Sequence, residues 1–217
     1  MNYHSFYVRV VKRLADILIC LIALPFFVII LLAITVAIKL DDGGPVFYIA
    51  ERIGKDNKKL LMCKFRSMKV NCENILNADG STYNAKDDPR LTRVGKFIRE
   101  TSLDETAQII NVLKGDMSIV GPRASGWSAL ENYQADEMDK MKVLPGITGY
   151  TQAYYRNSIS VRQKRLYDAW YAHNVSLWLD IKILFKTVET VLKSENVYTN
   201  MDNGGVEQKA EVVPEKE

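Results

Sequence analysis

Asp104 and Glu105 are the best candidates for chemistry in this 217-residue chain. They follow Ser102 and precede an apolar-periodic run, Ala107, Ile109, Ile110, Val112 and Leu113. That pattern predicts a helix with the two acids in its first turn, where the helix dipole keeps carboxylates ionised. An ionised aspartate can act as a nucleophile on phosphorus. A carboxylate pair can also bind Mg²⁺ together with substrate phosphates. Acids in a first turn are equally at home as capping residues. Ser102 followed three positions later by Glu105 fits a capping box.

Basic residues stand around the acids in sequence. Arg99 lies one turn upstream, Arg123 follows in Gly121-Pro122-Arg123, and Lys64 belongs to Lys64-Phe65-Arg66-Ser67-Met68. Arginine forks match phosphate oxygens bidentately, and two of them with a metal can neutralise a pyrophosphate. Taken singly, each also fits a surface ion pair. His4 and His173 are far apart, and there is no Walker loop, GxGxxG or GxSxG pattern. Common nucleotide-phosphate and serine-hydrolase designs are thereby disfavoured. Cys20, Cys63 and Cys72 lack zinc-ligand spacing and are expected to be free thiols.

The elements that must position these groups begin with an anchor. Residues 17–38 carry no charged side chain, enough at about 1.5 Å per residue to approach a bilayer core of roughly 30 Å. Pro25 stands near the middle and is expected to kink or break the helix. Basic residues flank both ends: Arg9, Lys12 and Arg13 before, Lys39, Arg52, Lys55 and others after. The positive-inside rule makes both ends look cytoplasmic. A re-entrant segment satisfies this, as does a kinked single span with a translocated tail. Asp16 is expected at the interface, paired with Lys12 or Arg13.

After the anchor, Val46–Ile49 and Leu60–Cys63 are predicted strands joined by a turn over 54–59. Helices are predicted over 92–100, from Ser102 to a stop at Gly115, over 127–143, over 160–173 and over 176–192, with a loop at 145–149. The last helix places Leu177, Phe185, Val188 and Leu192 on one stripe, which suits a membrane surface or a core. The fold class is α+β, mostly helical. The expected domains are 1–40 (membrane segment), 41–198 (catalytic) and 199–217, an acidic, disordered tail. That tail has a net charge of −3, against +3 for the whole chain. The basic remainder suits anionic partners.

In order along the chain come Lys12-Arg13-Leu14-Ala15-Asp16, Gly44-Pro45-Val46-Phe47, Glu51-Arg52-Ile53-Gly54 and Lys64-Phe65-Arg66-Ser67-Met68. They are followed by Asp88-Pro89-Arg90-Leu91-Thr92-Arg93-Val94-Gly95 and Thr101-Ser102-Leu103-Asp104-Glu105. Asn111-Val112-Leu113-Lys114-Gly115-Asp116-Met117-Ser118, Gly121-Pro122-Arg123 and Pro145-Gly146-Ile147-Thr148-Gly149 complete the set. Through these stretches the chain, from about Lys12 to Leu192, resembles the bacterial sugar transferase family, the short monotopic phosphoglycosyl transferases.

The resemblance implies transfer of a phospho-sugar from a UDP-sugar to a polyprenyl phosphate, usually undecaprenyl phosphate, with release of UMP. It implies that Asp104 is the nucleophile, that Glu105 supports it, and that Mg²⁺ is the cofactor, held by Asp104 and Glu105. Lys64, Arg99 and Arg123 match basic positions that contact phosphate and nucleotide. Pro25 matches a helix-breaking proline in a re-entrant membrane helix, surrounded by interfacial helices. The implied partners are the UDP-sugar, the polyprenyl phosphate and inner-membrane lipid, without nucleic acid and with room for a homodimer. The implied place is the cytoplasmic face of a bacterial inner membrane, at the first membrane step of a surface glycan. The competing reading is an inactive membrane-anchored scaffold of glycan assembly. Two positions depart from the family pattern: Leu24 where serine is frequent before the proline, and Ala124 where a second proline often follows the arginine.

Overall fold

A computed structural model describes residues 4–73, 75, 83, 85 and 87–193. The acidic segment 199–217 lies outside the described residues.

The apolar run folds as one long helix, α1 (Lys12–Asp41), entered through a π-helical turn, Tyr7–Val11. Thirty helical residues extend about 45 Å. Pro25 sits inside α1 without interrupting it. The expected break is thus not a termination of the helix. The ring removes one main-chain donor, but the turns on either side hold the helical path.

One stripe of α1 is buried against the rest of the molecule through Cys20, Phe27, Ile34 and Ile38. The opposite face leaves Leu14, Leu18, Ile22, Phe26, Ile29 and Leu32 exposed. Both ends of α1 are tied down. Asp16 is buried and accepts from the Ile119 N–H at 3.0 Å, while Lys12 pairs with Asp180. Arg13 donates to the Val112 and Leu113 carbonyls. The expected local pairing of Asp16 with Lys12 or Arg13 gives way to these long-range partners, because buried polar groups need direct hydrogen bonds. At the other end Asp41 accepts from the Val94 N–H at 3.0 Å.

Strands β1 (Phe47–Ile53) and β2 (Lys59–Phe65) form the predicted antiparallel hairpin, with Tyr48 opposite Lys64 and Arg52 opposite Leu60. Side chains alternate across a strand, so Tyr48, Arg52, Met62 and Lys64 share one face. Helix α2 (Arg93–Glu100) is N-capped by Thr92, whose hydroxyl accepts from Gly95 N. Gly95 is required by a close approach: a Cβ there would lie 1.8 Å from the Ser67 carbonyl oxygen.

The helix expected from Ser102 begins instead as a 3-10 turn, Leu103–Gln108, and becomes α3 (Ile109–Lys114). Gly115 ends it at φ 95°, as predicted. The expected capping box is absent: Ser102 adopts left-handed φ 57° and its side chain caps nothing. Glu105 turns instead to Lys64 and Arg123, donors that carry a full positive charge where a main-chain N–H does not.

Strand β3 (Ser118–Val120) pairs in parallel with β4 (Gly146–Thr148), where a loop was expected. The segment 127–143 is not one helix but two 3-10 stretches, Trp127–Asn132 and Ala135–Lys142. Tyr133 and Gln134 between them are extended, and a capping box of Gln134 with Glu137 restarts the coil. Helices α4 (Tyr150–Tyr154), α5 (Val161–Asn174) and α6 (Leu177–Lys193) complete the chain. Ser160 and Gln163 form a capping box at the start of α5. The architecture is mostly helical α+β. One apolar core joins α1, the hairpin and α3. A second gathers β3, α5 and α6.

Candidate active site

Asp104 and Glu105 leave the same 3-10 turn, directly after the left-handed Ser102. Backbone strain of this kind persists only where the surroundings enforce it. Here Ser102 N donates to the Arg99 carbonyl at 3.1 Å, closing the end of α2 onto the turn. Asp104 is buried, with 7% exposure, and Glu105 is half-buried.

Lys64 reaches both acids from β2. Its ammonium donates to Glu105 Oε1 at 2.8 Å and lies 3.7 Å from Asp104 Oδ2. Arg123 Nη2 meets the same Glu105 oxygen at 3.1 Å. Glu105 is thus the shared anion of two cations that come from segments 59 residues apart in sequence.

The charges separate the two carboxyls. Burial opposes ionisation of Glu105, but Lys64 and Arg123 outweigh it and hold the carboxyl well below its usual range. Burial and the neighbouring Glu105 charge push Asp104 up, against the pull of Lys64, Arg99 and Arg123. Two adjacent carboxyls with opposite shifts are a mark of functional sites.

The backbone behind each cation is held firmly. Asn111 on α3 accepts from Cys63 N at 2.8 Å and donates to the Leu61 carbonyl at 2.8 Å. That side chain stitches α3 to β2 beside Lys64. Arg123 follows β3, and its turn lies against β4: Gly121 N donates to the Thr148 carbonyl and Gly146 N to the Pro122 carbonyl. A Cβ on Gly146 would come within 2.1 Å of Gly121 N, so this crossing demands glycine. Lys140, buried, donates to the Arg123 carbonyl at 3.0 Å and pairs with Asp168 at 2.8 Å. Asn111, Lys140 and Asp168 were not singled out from the sequence. For Lys140 and Asp168 the only signal was a polar residue inside a predicted helix; Asn111 also opened one of the stretches that match the family.

The sequence-predicted residues therefore converge, with one exception. Asp104, Glu105, Lys64 and Arg123 meet directly, and Arg99 lies close enough to lower the Asp104 pKa. Pro25 stands apart, in the middle of α1. His173 bonds Asp139 at 2.6 Å and takes no part in the site.

Among the described residues no three side chains of the metal-binding kinds gather. Asp104 and Glu105 provide two carboxylates, a set that suits Mg²⁺ when substrate phosphates complete its shell. Glu105 Oε1 is engaged by two cations, so Asp104 and the other Glu105 oxygen are the donors left for a metal.

A family model described as bacterial sugar transferase matches residues 7–194. The chain is 40% identical over 205 residues to the undecaprenyl-phosphate galactose phosphotransferase of Salmonella typhimurium, covering 88% of this chain and 42% of that protein. It is 41% identical over 188 residues to the UDP-glucose:undecaprenyl-phosphate glucose-1-phosphate transferase of Escherichia coli, covering 83% and 40%. It is 36% identical over 198 residues to an exopolysaccharide production protein of Rhizobium meliloti, covering 86% and 88%. The chain spans about two fifths of the length of the first two of these relatives and most of the third.

Proposed function

The chain belongs to the bacterial sugar transferase family, and from that premise we propose that it moves a sugar-1-phosphate from a UDP-sugar to undecaprenyl phosphate, releasing UMP. The observation that carries the reading is the Asp104–Glu105 pair, with Lys64 spanning both carboxylates and Arg123 on Glu105.

In this reading Asp104 attacks the β-phosphorus of the donor. The bond from that phosphorus to the bridging oxygen breaks, and UMP departs with the electron pair. The phospho-sugar is left joined to Asp104 as an acyl phosphate, a mixed anhydride. An oxygen of the lipid phosphate then attacks the same phosphorus, and the bond from phosphorus to the Asp104 oxygen breaks to regenerate the carboxylate. Two displacements let one site serve a soluble donor and then a lipid acceptor. Lys64, Arg99 and Arg123 neutralise the diphosphate, and positioning with charge neutralisation is most of what phosphoryl transfer needs. Glu105, ionised and pinned by Lys64 and Arg123, holds those cations in place. Asp104 and Glu105 would hold Mg²⁺, which would add charge neutralisation.

The shape of α1 supports action at a membrane. By length and composition it is apolar enough to cross a bilayer. Yet Asp16 near one end and Asp41 at the other are bonded to the same folded body. A helix fastened at both ends to one body enters and leaves on one side of a bilayer, its exposed apolar face in lipid. Pro25, which removes one main-chain donor in the middle of α1, is the place where the helix would bend on a re-entrant path. Leu177, Trp178, Phe185, Val188 and Leu192 of α6 are also exposed and suit an interfacial helix. The side carrying the site is then cytoplasmic, where UDP-sugars occur. Lipid contact at that depth brings Asp104 level with the acceptor phosphate.

The test is UMP release across a panel of UDP-sugars, with and without undecaprenyl phosphate and Mg²⁺. One donor is expected to give lipid- and Mg²⁺-dependent UMP. No turnover with any donor would sink the reading in favour of a scaffold. Cysteine labelling at the two ends of α1 from opposite faces of the membrane would refute re-entry.

A further inference from the structure

The hairpin adds a third arginine to Arg99 and Arg123, one that lies near Arg123 and to which the proposed mechanism gives no role. Arg52 projects from β1 on the face that carries Lys64. Its backbone is bridged to Gly126, and the next residue, Ile53, donates to the Ser125 carbonyl at 2.9 Å. These bonds pin β1 to the segment that directly follows Pro122-Arg123-Ala124. The guanidinium lies over Gly126, where an added Cβ would stand 3.3 Å from Nη1.

Arg52 has no ion pair among the described residues, and its Nε is buried with no hydrogen-bond partner. Nη1 of Arg99 is in the same condition. Buried polar groups are almost always satisfied, and a native exception calls for a missing ligand or a role. Leaving a buried cationic donor unpaired is costly. Burial and the nearby Arg123 charge lower the Arg52 pKa, as expected of a cation set beside another cation. Lys64 and Arg123 are paired with Asp104 and Glu105, whereas Arg52, beside them, has no carboxylate partner among the described residues, which leaves a cationic donor for a diphosphate.

We infer that Arg52 is a phosphate-binding residue of this site, donating from its unpartnered guanidinium to the diphosphate of the donor. The assignment rests on the proposed diphosphate donor. It adds a fourth cation and makes the hairpin, through Arg52 and Lys64, one wall of the anion site. The Arg123 turn adjoins that wall through the bonds of β1 to Ser125 and Gly126. Arginine suits this place because its planar fork keeps its charge when desolvated.

Calorimetric titration of the full chain in nanodiscs with inorganic pyrophosphate and, separately, UDP tests the assignment. Arg52→Met is expected to weaken both ligands at least tenfold while the melting temperature holds or rises, because an uncompensated cation is removed. Arg52→Gln keeps polar donors without charge and decides the matter if the methionine variant fails to fold. It too is expected to lose at least tenfold. Pyrophosphate binding by the glutamine variant within twofold of the parent protein overturns the assignment, as does absence of pyrophosphate and UDP binding to the parent protein. Arg52-dependent binding in which UDP is no tighter than pyrophosphate upholds Arg52 and removes the uridine donor instead.

Discussion

Lys140 donates to the main-chain carbonyl of Arg123 at 3.0 Å, so a buried ammonium behind the turn sets the aim of a side chain in front of it. The same ammonium pairs with Asp168, which also accepts from Thr151 at 3.0 Å. Ala124 lacks the stiffening that a proline gives, and this tether supplies an alternative restraint on the turn. Lys140→Met is expected to cost about 3–5 kcal/mol of stability, since Asp168 is left buried and unpaired. Replacing both members with apolar residues, Lys140→Met with Asp168→Leu, is expected to recover most of the melting temperature. Turnover is expected to stay at least tenfold low, because the Arg123 carbonyl is still untethered. Thermal melts beside UMP-release rates check the two halves separately.

In the proposed mechanism Asp104 must be ionised to attack phosphorus, and its pKa is raised. The acid limb of kcat/KM is therefore expected above the ordinary aspartate range, with activity gained as pH rises through it. Lys64 lowers the Asp104 pKa, so Lys64→Met is expected to move that limb to still higher pH. Glu105 is depressed and remains ionised across the same range, so it adds no inflection there. A limb unmoved by Lys64→Met contradicts the coupling of Lys64 to Asp104.

Asp104→Asn retains the shape of the turn and removes the proposed nucleophile. UMP release is expected to fall by about 10³ or more, an order set by other catalytic-residue losses. Trapping of radiolabelled phospho-sugar on the protein after a brief donor pulse is expected with the parent chain and not with Asp104→Asn.

Asn111 satisfies one donor and one acceptor of β2 from α3. Asn111→Leu leaves the Cys63 N–H and the Leu61 carbonyl without these partners. The expected loss is about 1–3 kcal/mol per unsatisfied group. Denaturant midpoints measure it. A change below about 0.5 kcal/mol would show that water replaces the side chain.

Gly146→Ala sets a methyl group within van der Waals overlap of the Gly121 backbone. The parallel pairing of β3 with β4 must open to admit it. Forced overlap in a packed region costs about 1–3 kcal/mol, and more where backbone must move. Arg123 rides on that pairing, so UMP release is expected to drop more steeply than thermal stability.

The elements with a clear local signal were legible in the sequence. The uncharged run 17–38 specifies α1, alternating and turn residues specify the hairpin, and Gly115 stops α3 where its freedom at positive φ is needed. Residue types and motif order also pointed to Asp104, Glu105, Lys64, Arg99 and Arg123. Tertiary structure decided what each group meets. Ser102 and Glu105 have the local pattern of a capping box, yet Lys64 and Arg123 draw the carboxylate away. Asp16 has Lys12 within one turn but bonds the Ile119 N–H more than a hundred residues away. β3 and β4 are only three residues each, too short to declare themselves, and exist through pairing across the Gly121–Gly146 contact. Periodicity and capping report energies within a few residues of chain. The partners of buried charges are set by desolvation and by which distant segments the core brings together, and for Asp104 and Arg52 those quantities exist only once the chain has folded.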